Sequence, residues 1–241
     1  MLSWPQDFPT NFQFLLRWFH FLAGITWIGM LYFFNLVNVP FQKELDAAVK
    51  GKVNLNLQPK ALWWFRWGAV WTWLTGLTYW SLILGTEAPG QKPMLLFAVG
   101  WGVAFVVIAG LLRLSVKGGA LKDGRALGVA IAVVVIVVGW VIASISRNWG
   151  SSSRALSILI GGGIGTIMFL NVWMIIWPLQ KRILAATRAT VETGAAAPAE
   201  QPAWARRAFL ASRTNTWLSI PMLFFMGAAS HFPIFSVITT K

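Results

Sequence analysis

The sequence predicts an all-α protein: a polytopic integral-membrane helical bundle of about six transmembrane helices, with both termini extracytoplasmic. Three observations carry that expectation. Of the 241 residues, 57% are hydrophobic and only 11% are charged, where a soluble domain carries about 25% charged residues. Apolar stretches of membrane-spanning length recur six times along the chain. The basic residues gather in alternate connections between those stretches.

A spanning helix needs about 20 mostly apolar residues. The segments that qualify are roughly 14–38, 66–85, 94–113, 126–146, 156–178 and 216–236. The first, "FLLRWFHFLAGITWIGMLYFFNLVN", carries an arginine and a histidine in its opening turns. The second closes at "GTEAPGQKP" and the third at "KGGALKDGR", both rich in turn residues. The fourth, "ALGVAIAVVVIVVGWVIASI", has no charge and ends at "RNWGSSSR". In the fifth, "IGGGIGT" (160–166) permits close approach of another backbone or of a flat cofactor. Residues 185–212 are expected to form a flexible cytoplasmic loop around the low-complexity "TGAAAPAEQPA" (193–203). The sixth carries polar residues and Pro221, which is expected to kink it. No repeat of fixed period and no boundary for a second folded unit is visible, so residues 1–241 read as one transmembrane domain. The start, "MLSWPQDFPT", lacks the basic n-region and cleavage site of a signal peptide, so the first segment is expected to stay in the mature protein.

Orientation follows from the lysines and arginines. Lys43, Lys50, Lys52, Lys60 and Arg66 follow the first segment. Arg113, Lys117, Lys122 and Arg125 follow the third, and Lys181, Arg182, Arg188, Arg206, Arg207 and Arg213 follow the fifth. These are fifteen of the twenty basic residues. The other side holds Lys92, Arg147, Arg154 and Lys241, with Arg17 inside the first segment. The bias places the chain as a multi-pass protein of a bacterial inner (cytoplasmic) membrane, with its basic loops inside. It also explains the net charge of +13 as a topology signal, without nucleic acid as a partner. Many of the sixteen tryptophans, Trp4, Trp63, Trp64, Trp67, Trp149, Trp177, Trp204 and Trp217 among them, fall near expected helix ends as an aromatic belt. Zero cysteines exclude disulfides, thiolate metal sites, iron–sulfur clusters and covalently attached haem.

The chain has two histidines, His20 and His231. From a boundary near Phe14, His20 lies about 9 Å deep at 1.5 Å per residue. A sixth helix entering near Trp217 carries His231 about 21 Å through a core of roughly 30 Å, to a matching depth. Two imidazoles at one depth on different helices suit the axial positions of a b-type haem. Gly24 and Gly227 lie one turn deeper on the same faces, where a porphyrin would press on the backbone. Arg17, one turn nearer the outer surface, would pair with the haem propionates. The alternatives are a snorkelling arginine and two histidines that hydrogen-bond between helices. Met30, Met222 and Met226 are alternative axial ligands or plain packing. Asn35, Asn38, Thr72, Thr75, Asn171 and Asn215 are expected chiefly to bond between helices. Paired-carboxylate chemistry inside the membrane is not expected, because the acidic residues sit almost wholly in loops.

Four stretches, "RWFHFLAGITWIGMLYF" (17–33), "WWFRWGAVWTWLTGL" (63–77), "IGTIMFLNVWMIIWPLQKRIL" (164–184) and "NTWLSIPMLFFMGAASHFP" (215–233), give the chain a further character. Through them it resembles the membrane domain of the bacterial membrane-bound urate hydroxylases, the urate oxidase N-terminal family. The resemblance implies an integral-membrane oxidoreductase that, in its full-length form, carries a C-terminal cytochrome c domain and converts urate to 5-hydroxyisourate. His20 and His231 fall on histidines of the family's motifs. The 241 residues contain no Cys-x-x-Cys-His and no helices beyond "SHFP". Gly68 stands where an acidic residue is expected, and Arg213-Thr214 where a histidine is expected. The resulting expectation is a urate-hydroxylase-like redox protein with one haem b near the outer face, passing electrons to or from a periplasmic cytochrome c or a larger electron-transfer complex. Urate is a candidate substrate, and catalysis by the chain itself is left open. The alternative is a non-catalytic accessory transmembrane subunit of a respiratory or photosynthetic complex.

Overall fold

Asp7 starts the first helix. Its carboxylate accepts the Thr10 N–H at 2.8 Å, and Pro9 occupies the first turn, where its missing N–H costs nothing. The computed structural model describes residues 7–236, so Trp4 and Lys241 lie outside the described residues. Six long helices follow one another. α1 runs over Phe8–Glu44, α2 over Ala47–Leu84, α3 over Lys92–Lys117, α4 over Gly124–Asn148, α5 over Ser153–Thr193 and α6 over Gln201–Ala228. No strand occurs among the described residues.

The breaks between the helices have local causes. Gly90, Gly118, Gly119 and Gly150 take positive φ in the connections, a region other residues avoid. Asp123 caps α4 and Ser152 caps α5, each side-chain oxygen accepting a first-turn N–H. α1 and α5 each contain a π-helical stretch, Phe33–Asn38 and Asn171–Ile176. Each stretch ends two residues before a proline, Pro40 and Pro178. Proline lacks an N–H and its ring presses on the carbonyl four residues back, so the wider turn relieves both problems.

Four helices, α1, α3, α4 and α5, are long and apolar enough to cross a membrane. α2 and α6 contain the other two segments expected to span. They are equally long, but polar residues such as Thr72, Thr75, Asn215 and Ser219 dilute them. The surface is inverted relative to a soluble protein. Leu95, Val106 and Ile136 are each about 70% exposed, whereas Asn171, Asn215 and Ser219 are fully buried. Lipid tolerates the first set and cannot satisfy the second, so the polar groups turn inward. Asn171 donates to Asn215 at 2.8 Å, Asn215 donates to the Met168 carbonyl at 2.9 Å, and Tyr32 and Ser219 bond at 2.9 Å.

Consecutive helices pair as α1–α2, α3–α4 and α5–α6, and α5 lies in the middle, touching α2, α3, α4 and α6. Its glycines allow this. A Cβ on Gly163 would fall inside the indole of Trp101, whose Nε1 donates to the Leu159 carbonyl at 3.1 Å. The flat group received by the glycine cluster is therefore a tryptophan from α3. At the basic end, Arg66 of α2 lies over the Trp177 ring of α5 at 3.7 Å, a cation–π contact.

Three expectations are corrected. The second and sixth helices begin far earlier than 66 and 216, because polar helix-forming sequence continues them out of the apolar zone. The stretch 185–212 is irregular only between Gly194 and Glu200 and is helical on both sides. The sixth helix stops at Ala228, short of 236. Pro233 disfavours helical backbone at Phe232, and a turn carries Ser230 and His231.

The first and last hairpins of the chain also share sequence motifs. Gly29, Phe33 and Asn35 match Gly165, Phe169 and Asn171, and Pro40, Gln42 and Lys43 match Pro178, Gln180 and Lys181. Gln58-Pro59 matches Gln201-Pro202, and "TWLT" (72–75) matches "TWLS" (216–219). The π-helical stretches sit at equivalent places in α1 and α5. The α1–α2 and α5–α6 pairs thus share sequence motifs and a π-helical stretch in their first helix.

Candidate functional site

His20 lies on α1 where that helix packs against α2. Its Nδ1 is 2.9 Å from the Thr72 carbonyl and 3.2 Å from Thr75 Oγ1. A carbonyl only accepts, so Nδ1 carries the proton and Nε2 keeps its lone pair. Thr72 exposes that carbonyl to a side chain while its own hydroxyl donates to Gly68 at 2.7 Å. The imidazole rests on Gly76, where an added Cβ would come within 2.8 Å of Cε1. Thr72, Thr75 and Gly76 together set the ring's position and its tautomer. No hydrogen-bond partner of Nε2 is found among the described residues.

The ring borders a cavity of about 150 Å³ near the end of the bundle that carries the termini. Arg17, one turn above His20, lines the same space. Trp27, Trp73 and Trp80 supply flat walls, and Gly161, Gly162 and Gly165 supply a low wall from α5. Trp73 is held by a 3.0 Å hydrogen bond to Thr166 and stacks on Phe169 at 5.0 Å. Tyr79 lines the cavity and accepts a hydrogen bond from Arg154, leaving its own O–H free to donate elsewhere. No carboxylate lines the space, and neither Arg17 nor Arg154 has an acidic partner among the described residues.

The sequence-derived residues divide here. Arg17 and His20 meet at the cavity. Met222 and Met226 also border it, whereas Met30 does not. His231 is exposed in the turn beyond α6 and does not border it, although its neighbours Ala229 and Ser230 do. Gly24 faces α2, where an added Cβ would meet the Thr72 methyl at 3.8 Å, and Gly227 faces open space. The glycine that matters to the histidine is Gly76, which sequence reasoning passed over. The run "TWLTGLTYW" (72–80) was the available signal, since small and hydrogen-bonding residues recur on one face opposite His20.

A b-type haem held by both histidines does not fit this arrangement. One imidazole is on the cavity and the other is not. The volume of about 150 Å³ falls below the roughly 300–1,000 Å³ that encloses a drug-sized ligand. The helix faces that would part for a porphyrin are filled by Trp101, Phe225 and Met226.

The model of the urate oxidase N-terminal domain matches residues 8–240. The chain belongs to the urate oxidase N-terminal family. No curated protein and no solved structure matches it. The match covers every helix of the bundle, so the outer cavity and both histidines lie within the urate oxidase N-terminal region. In this family member Gly68 packs against the Trp27 backbone, where an added Cβ would sit 3.1 Å from its nitrogen. Any side chain at that position would press its Cβ against the α1 backbone. Arg213 lines the lipid-facing side of α6, away from the outer cavity.

Proposed function

We propose that this urate oxidase N-terminal chain binds a small, flat, anionic heteroaromatic molecule of urate's class in the cavity beside His20, as part of a membrane redox system. The single observation that carries the reading is the His20 imidazole. Thr72 fixes its tautomer, and a bare Nε2 borders a space with aromatic walls, an arginine and no carboxylate. A cavity of about 150 Å³ takes one small ring system. Arg17 supplies the charge for an anion, the indoles supply stacking faces, and His20 Nε2 accepts a ring N–H. Conversion of urate to 5-hydroxyisourate adds the oxygen of one water and releases two protons and two electrons. His20 is placed to take one of those protons. The electrons require an external acceptor, for which a cytochrome c or a larger electron-transfer complex on the outer side of a bacterial inner membrane is the partner we propose. The positive-inside bias supports that orientation.

The test is calorimetric titration of urate into the purified protein in detergent. Binding that weakens at least about tenfold in both His20→Ala and Arg17→Gln, roughly the worth of one charge-assisted hydrogen bond, supports the reading. Undetectable binding to the folded wild-type protein, or unchanged binding in both variants, overturns it. A separate assay with an added electron acceptor decides whether bound urate is turned over. A second reading, an accessory subunit without catalysis, is favoured by the absence of any carboxylate at the cavity.

A further inference from the structure

A second feature, independent of the outer cavity, lies on the opposite flank of the bundle. α4 and α6 stand apart and leave a groove of about 1,220 Å³, floored by Leu156, Ile160 and Ile164 of α5. Its walls are apolar along the middle, where Val129, Ile136 and Trp217 are each about two-thirds exposed. Charge appears only at the ends. Arg125 and Arg213 line the basic end, and Arg147 lines the other. From Arg125 to Arg147 the wall of α4 rises about 33 Å, the full thickness of a bilayer core.

The basic end carries more positive than negative charge. Asp123 is the one carboxylate bordering the groove, and its Oδ1 accepts the Arg125 backbone N–H at 2.9 Å as the cap of α4. Arg213 has a ring contact with Phe209 at 5.6 Å and no acidic partner among the described residues. Lys122 lies close by, since Arg206 donates to its carbonyl at 2.9 Å. An apolar channel that opens at two guanidiniums against one carboxylate, already engaged as a helix cap, matches a diacyl lipid with a negatively charged headgroup. A zwitterionic lipid brings its own cation to the same place. A transmembrane helix, about 10 Å across, would fill the channel but would leave both arginines unmatched.

We propose that the α4–α6 groove is a binding site for an anionic phospholipid, with its phosphate between Arg125 and Arg213 and its acyl chains along Val129, Ile136 and Trp217. The test is native mass spectrometry of the detergent-purified chain given equal amounts of phosphatidylglycerol and phosphatidylcholine. Two basic groups at the membrane surface predict a preference of about tenfold or more for one retained phosphatidylglycerol. Arg125→Gln/Arg213→Gln abolishes that preference. Lys50→Gln/Lys52→Gln, with the same change in net charge away from the groove, keeps it. Ala132→Trp fills the groove from an exposed position without altering charge and lowers phosphatidylglycerol retention, which keeps the test decisive should the arginine variant fail to fold. Equal retention of the two lipids, or a preference that survives both groove variants, overturns the proposal. So does a dimer mass free of lipid, which would assign the groove to a second copy of the chain.

Discussion

Gly76→Ala tests the seat of His20, because two opposed effects give the substitution a sign. A glycine in an exposed helix interior costs about 1 kcal/mol relative to alanine, so alanine is normally a gain. At Gly76 the new Cβ would lie 2.8 Å from His20 Cε1 and 3.2 Å from Nδ1. The ring would have to withdraw by roughly 1 Å to reach ordinary contact. That shift stretches the 2.9 Å bond from Nδ1 to Thr72 beyond hydrogen-bonding distance. Losing it costs about 0.5–1.5 kcal/mol, and the displaced ring adds overpacking of about 1–3 kcal/mol. The two costs together come to about 1.5–4.5 kcal/mol, and subtracting the propensity gain of about 1 kcal/mol leaves a net destabilisation of about 0.5–3.5 kcal/mol. Reversible unfolding in detergent reads it out, with Gly102→Ala as the reference, since nothing lies within 4 Å of a Cβ there. In a His20→Ala background the obstacle is gone, and Gly76→Ala should become neutral or stabilising, a coupling that a double-mutant cycle isolates. If Gly76→Ala and Gly102→Ala stabilise the wild-type chain equally, the placement of His20 against α2 is wrong.

Four further outcomes are expected. Gly163→Ala should prevent the chain from folding stably, because the new methyl overlaps the fully buried Trp101, while Gly162→Ala, whose nearest new contact is 3.8 Å, should be tolerated; detergent melting curves separate the two. Asn215→Ala removes partners from both Asn171 and the Met168 carbonyl and should cost about 1–2 kcal/mol in the same assay, within the range found for buried hydrogen bonds in membranes. A reduced-minus-oxidised spectrum of the pure protein should lack a b-type haem band, and a band that vanishes in both His20→Ala and His231→Ala would refute the cavity reading in favour of bis-histidine ligation. The hydrogen bond from Thr10 holds the Asp7 carboxyl below its usual range, so the cap contributes fully above pH 3.8 and is lost as pH falls through the lower folded value; backbone hydrogen exchange at Thr10 should rise over that acid range in the wild type, and at neutral pH in Asp7→Ala.

The helical class and the breaks between elements were legible because apolar runs and Gly/Pro/Asp turn chemistry act locally. The basic extensions of α2 and α6 were not, because hydropathy marks where lipid is, not where backbone hydrogen bonding stops. Counting residues to the depth of His231 assumed an unbroken sixth helix, and Pro233 ends that assumption. Arg17 and His20 were found together because a spacing of three places them on one helix face. Gly76 and the Thr72 carbonyl escaped notice because they lie on another helix, and a backbone acceptor carries no side-chain signature. The motifs shared by the first and last hairpins escaped notice because their offset drifts, from 136 residues at the asparagines to 138 at the prolines and 144 at the second tryptophan motif, so no fixed period survives.

The π-helical stretch of α5 lets a strict four-residue spacing stay on one side. Gly163, Ile167, Asn171, Ile175 and Leu179 are all buried, although on a regular α-helix the last would have rotated about 160° from the first. The extra residue cancels most of that drift. The shaft therefore has two angular phases, one for the lipid-embedded half and one for the half that holds Lys181 and Arg182. Deleting a single residue between Asn171 and Ile176 would turn one half against the other by about 100°, swinging Leu179 off its neighbours while leaving Trp101 seated on Gly163.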